Sequence, residues 1–189
     1  MTSDTSSWVL TDQPADGVVR LTLNRADSFN ALSSDMMTCL SEALKRIADD
    51  PTCRVVVLAA SGKAYSAGHD LREMRAHPEL NFYQDLFAQC SRMMLQLQQL
   101  PQPVIAQVQG IATAAGCQLV SMCDLAIAAD TARFAVSGIN YGLFCSTPSV
   151  GLSRNVARKR AVEMLLTGDF IDAADLFRAP PRRQAAWGH

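Results

Sequence analysis

The residues best placed for chemistry in this sequence are small ones. Two stretches, AYSAGHDL at positions 64–71 and TAAGCQLV at 113–120, open on residues with little or no side chain. A backbone N–H reaches a ligand only where neighbouring side chains are tiny and the amide has no helical partner. The first turn of a helix leaves such donors free and adds the positive end of the helix dipole. If the N–H of Ala67 and the N–H of Ala115 converge on one point, they form a two-donor oxyanion hole. Each donor in such a site is worth about 3 kcal/mol to a carbonyl oxygen that gains negative charge in the transition state. Either stretch alone carries less, because Ala115 at the head of an apolar helix also suits close helix–sheet packing.

The elements around these stretches read as an α/β alternation. VVRLTLN from Val18 is β-branched and alternating, a strand. SSDMMTCLSEALKRIADDP begins on a Ser cap, places Met36, Leu40, Leu44 and Ile47 on one helical face, and stops before Pro51. CRVVVLAA is an almost wholly apolar run of the kind buried on both faces of a parallel sheet. A long helix is expected from about Asn81 to Leu100, with Phe82, Leu86, Cys90, Met93 or Met94, and Leu97 inward and Pro101 as its stop. PVIAQV is the next strand, then a glycine turn and a helix beginning near Ala115, then the strand DLAIAA. PSVGLSRNVARKRAVEMLLTG reads as two short helices, the second closing at Gly168. Alternation of this kind argues for one α/β domain with a largely parallel sheet. Ligands in such sheets bind beyond the carboxyl ends of the strands, where both small-residue loops fall.

The totals narrow the function classes. A chain of 189 residues is long enough for one well-buried domain, and a net charge of −1 gives no basic stripe for nucleic acid. No apolar run approaches the roughly 20 residues of a membrane span, and the first residues do not read as a secretory signal, so a cytoplasmic location is expected, or the mitochondrial matrix for a processed form. Cysteines 39, 53, 90, 117, 123 and 145 form no CxxC pair, and His69, His77 and His189 are not at zinc spacing. They read as reduced thiols packed as small hydrophobes, with no metal site.

In order and spacing, LNRADSFNAL, AYSAGHDL and GIATAAGCQLVSMCDLAIAAD resemble the crotonase superfamily, the enoyl-CoA hydratases and isomerases. RFAVSGINYGLFCSTP and AVEMLLTGDFIDAADL match its later segments, so that the resemblance runs from Val18 to Leu176. SAGHDL, ATAAGCQLV and GLFCSTP are similar to one subgroup of it, enoyl-CoA hydratase domain-containing protein 3. The resemblance implies a crotonase spiral of ββα repeats that binds fatty acyl-CoA thioesters in lipid metabolism, with no cofactor beyond the coenzyme A of the substrate, no nucleic acid or membrane partner, and a homotrimer or hexamer as the assembly. It implies that Ala67 and Ala115 hold the thioester oxygen, that Ala67, Gly68, His69 and Asp70 line the acyl-CoA site, and that Arg25 and Ala26 lie beside the nucleotide part of CoA. Arg25 is equally read as a solvated surface charge.

The sequence departs from that pattern at two points. Hydratases of the family use two glutamates, one accepting a proton while the other donates. The matching positions here hold Gln118 and Gly138. Gln orients a water but cannot take its proton, and Gly does neither. Candidate substitutes are Asp70, Tyr141 and Cys145, against a structural role for Asp70 and an inert one for Cys145; Asp124 reads as a partner for backbone donors. The second departure is the ending: residues 1–15 read as a flexible start, 16–175 as the acyl-CoA-binding domain, and 176–189 as an irregular tail where relatives continue into helices that cover the acyl site. The expectation is therefore enolate or oxyanion stabilisation on an acyl-CoA, with a non-catalytic acyl-CoA binder or an unstable truncated product as the alternatives.

Overall fold

Leu21 and Leu23 are fully buried at the period of two that a strand imposes, and the main sheet builds outward from them. The computed structural model describes residues 7–177. From β1 (Val9–Ala15) the chain turns back into β2 (Val18–Leu23) and enters α1 (Ser34–Ala48). It returns through β3 (Val55–Ala60) and β4 (Ala64–Ser66) to α2 (Leu71–Ala76) and α3 (Leu80–Gln99). The next turn runs β5 (Val104–Val108), β6 (Ile111–Thr113) and α4 (Ala115–Ser121), and the next β7 (Leu125–Ala128), β8 (Arg133–Ala135) and α5 (Ser146–Asn155). Then α6 (Arg158–Thr167), β9 (Ile171–Asp172) and α7 (Ala173–Phe177) close the described chain.

The pairs β3/β4, β5/β6 and β7/β8 thus each contribute one strand to each of two sheets before their helices, whereas β1 and β2 both join the first. The first sheet has the order β1-β2-β3-β5-β7 and the second β4-β6-β8-β9. Within them β2, β3, β5 and β7 run parallel, as do β4, β6 and β8, while the two end pairs, β1 with β2 and β8 with β9, are antiparallel. This is the ββα spiral, and the single largely parallel sheet read from strand alternation is corrected to two. The second sheet escaped that reading because its strands are two or three residues long, too short to show a period.

The helices match their sequence signals closely. Ser33 caps α1 by accepting from the N–H of Met36, and Met36, Met37, Leu40 and Leu44 are wholly buried. Leu86, Cys90, Met93, Met94 and Leu97 form the inner face of α3. Each such side chain contributes about 2 kcal/mol relative to exposure. Glutamines tie the two helices: Gln89 Nε2 donates to the Ser34 carbonyl and Gln96 Nε2 to that of Ser41, both at 2.9 Å. Gly168, with φ 69°, ends α6.

The flexible start expected for residues 1–15 is corrected at Val9–Ala15, which pairs with β2 from Val9↔Leu23 to Ala15↔Val18. The ion pair of Arg20 with Asp12, at 2.7 Å, lies across that ladder. At the other end Leu176 and Phe177 belong to α7, so the irregular tail expected from residue 176 does not include them, and the rest of it lies outside the described residues.

Candidate functional site

The SAG loop is held by the segment that follows β2. Phe29 and Asn30 both adopt positive φ, 53° and 51°, and the fully buried Asn30 makes the turn worthwhile. Its Oδ1 accepts from the N–H of Arg25 at 2.8 Å, and its Nδ2 donates to the carbonyls of Ser61 and Ala64 at 2.8 and 2.9 Å. Ser66 Oγ donates to the Asn30 carbonyl at 2.9 Å, and the Leu32 N–H donates to the Gly68 carbonyl at 2.7 Å. The N–H of Ala67 donates to the Phe29 carbonyl at 3.0 Å. Ala67 therefore does not offer the free donor expected of it. The N–H of His69, two residues on, has no protein acceptor among the described residues, and neither has that of Ala115.

These two donors belong to loops in close apposition. Gly68 has φ +87°, and a Cβ there would stand 2.9 Å from Ala114 Cβ and 3.0 Å from Ala115 N. One residue further into α4, a Cβ on Gly116 would fall 2.2 Å from the Ser66 carbonyl oxygen. The small residues are thus there for backbone-to-backbone contact, and the contact sets Ala115 beside the SAG loop. Ala114, which precedes the helix, has φ 50° and ψ −124°, a conformation costly for any residue with a Cβ. It is held there by its N–H, which donates to the Ala135 carbonyl at 3.0 Å.

A cleft of about 700 Å³ opens at this point. Ala67, His69, Asp70 and Ala115 line it; Arg25, Ala26 and Gly68 do not, although Asp27, Ser28 and Phe29 next to them do. Arg25 is a paired and partly buried charge, not a solvated one. Its Nη1 is 2.9 Å from Asp70 Oδ2 and 3.4 Å from Ser33 Oγ, and its guanidinium lies 4.5 Å from the centroid of the Trp8 ring. Asp70 also caps α2, accepting from the N–H groups of Arg72 and Glu73. Burial by itself would raise its pKa, but the Arg25 contact and the two N–H groups outweigh that and hold the carboxyl below its usual range. A carboxylate so engaged is a structural anchor and not a base.

His69 stacks edge-on against Phe87 with ring centroids 5.1 Å apart. Its Nδ1 is buried without a hydrogen-bond partner. Burial lowers its pKa, with the Leu32 backbone pulling weakly the other way, so the imidazole is neutral at pH 7.

At the two positions where the family carries glutamates the structure is instructive. Gln118 is buried, does not line the cleft, and leaves its Oε1 without a partner. Gly138 lines the cleft, yet a Cβ there would lie 2.7 Å from Cys145 Sγ and 2.8 Å from the Leu143 carbonyl oxygen. The loop has closed over the space a glutamate would need. Cys145 accepts from the Gly138 N–H at 3.3 Å, and burial raises its thiol pKa against that hydrogen bond. It is a protonated thiol, not a nucleophile. Tyr141 stands at the mouth, 71% exposed. Asp124 Oδ2 accepts from the Val104 N–H at 2.7 Å, the backbone role expected of it. All six cysteines are free thiols, with Cys117 and Cys123 pushed up to about 12 by burial.

The ββα spiral thus places this cleft against the head of α4, whose first N–H has no protein acceptor among the described residues. Residues 13–179 match the family described as enoyl-CoA hydratase/isomerase, and the chain belongs to that family. Among curated relatives, enoyl-CoA hydratase domain-containing protein 3 of Xenopus laevis is 48% identical over 163 residues, which are 86% of this chain and 55% of the relative. The human protein of that name is 43% identical over 160 residues, 85% of this chain and 53% of its own length. Both are named mitochondrial. Among solved structures, an enoyl-CoA hydratase of Mycobacterium smegmatis matches with a TM-score of 0.86 at 63% identity, covering 89% of this chain and 65% of that one. Human enoyl coenzyme A hydratase domain-containing protein 3 matches at 0.85 and 41% identity, covering 89% and 66%. The chain therefore spans a little over half the length of these curated relatives.

Proposed function

We propose that this domain binds an acyl-CoA thioester and holds the thioester oxygen with the N–H groups of Ala115 and His69, without carrying out the water addition for which its relatives are named. The observation that supports this reading is the apposition of Gly68 on Ala115, which sets two unpartnered amides on the wall of a cleft large enough for an acyl group. Ala67, the donor expected from the sequence, keeps the loop in place through Phe29 and lines the cleft with its methyl group.

Water addition needs a group that takes a proton from water and another that delivers one to the α-carbon. Neither Gln118 nor Gly138 supplies one, Asp70 is committed to Arg25, and the Cys145 thiol is protonated. Polarisation of the thioester without proton transfer is the behaviour of an acyl-CoA binder. The test is isothermal titration with crotonyl-CoA and a longer enoyl-CoA, followed by analysis of the recovered thioester. Binding with the thioester returned unchanged is the expected result. Conversion to the 3-hydroxyacyl product would overturn the non-catalytic reading, and absence of binding by folded protein would overturn the acyl-CoA reading itself.

A further inference from the structure

Two hydroxyls on the cleft wall are left unused by the mechanism above. Thr113 Oγ1 and Ser137 Oγ lie 2.8 Å apart, both half-buried and both lining the cleft. Thr113 ends β6 two residues before Ala115, within about 7 Å of chain. Ser137 follows β8, whose Ala135 is in register with Thr113, and it immediately precedes Gly138. The pair therefore stands between the amide that would receive the thioester oxygen and the emptied glutamate position.

Two hydroxyls that share one hydrogen bond use one of their two protons on each other. The second proton has no protein acceptor among the described residues, so the pair presents one donor and several lone pairs to the cleft. A hydroxyl does not act as a base at neutral pH, but it recognises an oxygen at close range. Ala67, Leu143 and Phe144, which also line the cleft, have only apolar side chains.

Resting on the acyl-CoA reading, we propose that Thr113 and Ser137 form a hydroxyl pair that reads an oxygen on the acyl chain within a few bonds of the thioester carbonyl. The pair makes the site selective for oxygenated over plain hydrocarbon acyl groups. A neutral hydrogen bond of this kind corresponds to about a fivefold to tenfold difference in affinity.

The experiment compares the Kd of 3-hydroxybutyryl-CoA with that of butyryl-CoA for the full chain and for the Thr113→Val and Ser137→Ala variants, with thermal melts to confirm folding. The expected result is a fivefold to tenfold preference for the hydroxylated thioester that disappears in either folded variant while butyryl-CoA affinity stays the same. Equal affinities in the unsubstituted protein would overturn the proposal. So would a preference that survives both substitutions, or an equal loss for both thioesters, which marks a merely structural pair. If neither thioester binds the unsubstituted protein, the acyl-CoA reading fails and takes this one with it.

Discussion

The two walls of the cleft are built differently. On one side, the turn at 29–33, the SAG loop and the start of α4 satisfy nearly every backbone group with another, and glycines bring main chain against main chain. On the other, the segment after β8 presents Tyr141, Leu143 and Phe144 at 71, 59 and 52% exposure, and Val150 and Leu166 beyond it are also exposed. The first wall holds two amides in place by backbone hydrogen bonds and close main-chain contact. The second offers apolar area without fixing anything. The chemistry a site can do depends on the first kind of wall, and the size and kind of group it admits depends on the second.

The sharpest way to break the ordered wall is to give Gly116 a side chain. The Ser66 carbonyl that its Cβ would meet is backbone in a strand and cannot rotate away. Gly116→Ala is expected to cost about 3 kcal/mol, at the upper end of overpacking, read as a lower urea midpoint with an unchanged slope. A midpoint equal to that of the unsubstituted protein would mean that β4 and α4 are not in contact.

Next in size is Asp70→Ala, which removes the cap of α2 and leaves the half-buried Arg25 guanidinium without its carboxylate. A loss of about 2 kcal/mol is expected at pH 7. The pH dependence follows from the sign of the shift. The folded-state pKa of Asp70 lies below its ordinary 3.8, so the unfolded chain binds more protons in that range. The contribution is whole above the ordinary value and is lost as pH falls through the lowered one. Stability curves of the two proteins should therefore converge in acid, and a gap that stays constant down to pH 2 would assign the loss to packing alone.

Much of the ordered wall was legible in the sequence, though not the direction in which one amide faces. The spacing of apolar residues placed α1, α3 and the parallel strands, and the small residues of AYSAGHDL and TAAGCQLV marked the close approach. What could not be read was that Asn30 and Phe29, at positive φ, would bring a carbonyl to Ala67, because a turn of that kind depends on contacts 30 residues away in the chain. The donor consequently moves to His69. A signal was present in the SAG string: a glycine at positive φ reverses the chain, and the residue after it faces differently from the residue before. The hydroxyl pair was not legible, since Thr113 and Ser137 are common residue types that meet only when β6 and β8 align. The ion pair of Arg25 with Asp70 spans 45 positions and was equally out of reach of local pattern.

The smallest effect is expected from the open wall, and it separates the roles of the two. Phe144 lines the cleft but is half-exposed, and its hydrogen bonds are confined to its carbonyl, which accepts from Ser146 and from no residue of the ordered wall. Phe144→Ser should change stability by no more than about 0.5 kcal/mol, because a half-exposed ring that makes no buried polar contact removes little that folding gained. Ligand length is where it should register. Each methylene an acyl chain buries against the ring is worth up to about 0.8 kcal/mol, so affinity for octanoyl-CoA should fall while that for acetyl-CoA, which ends near Ala115, does not change. A thermal melt paired with two titrations checks both halves. Equal losses for the short and the long thioester would place Phe144 with the ordered wall and erase the distinction between the two.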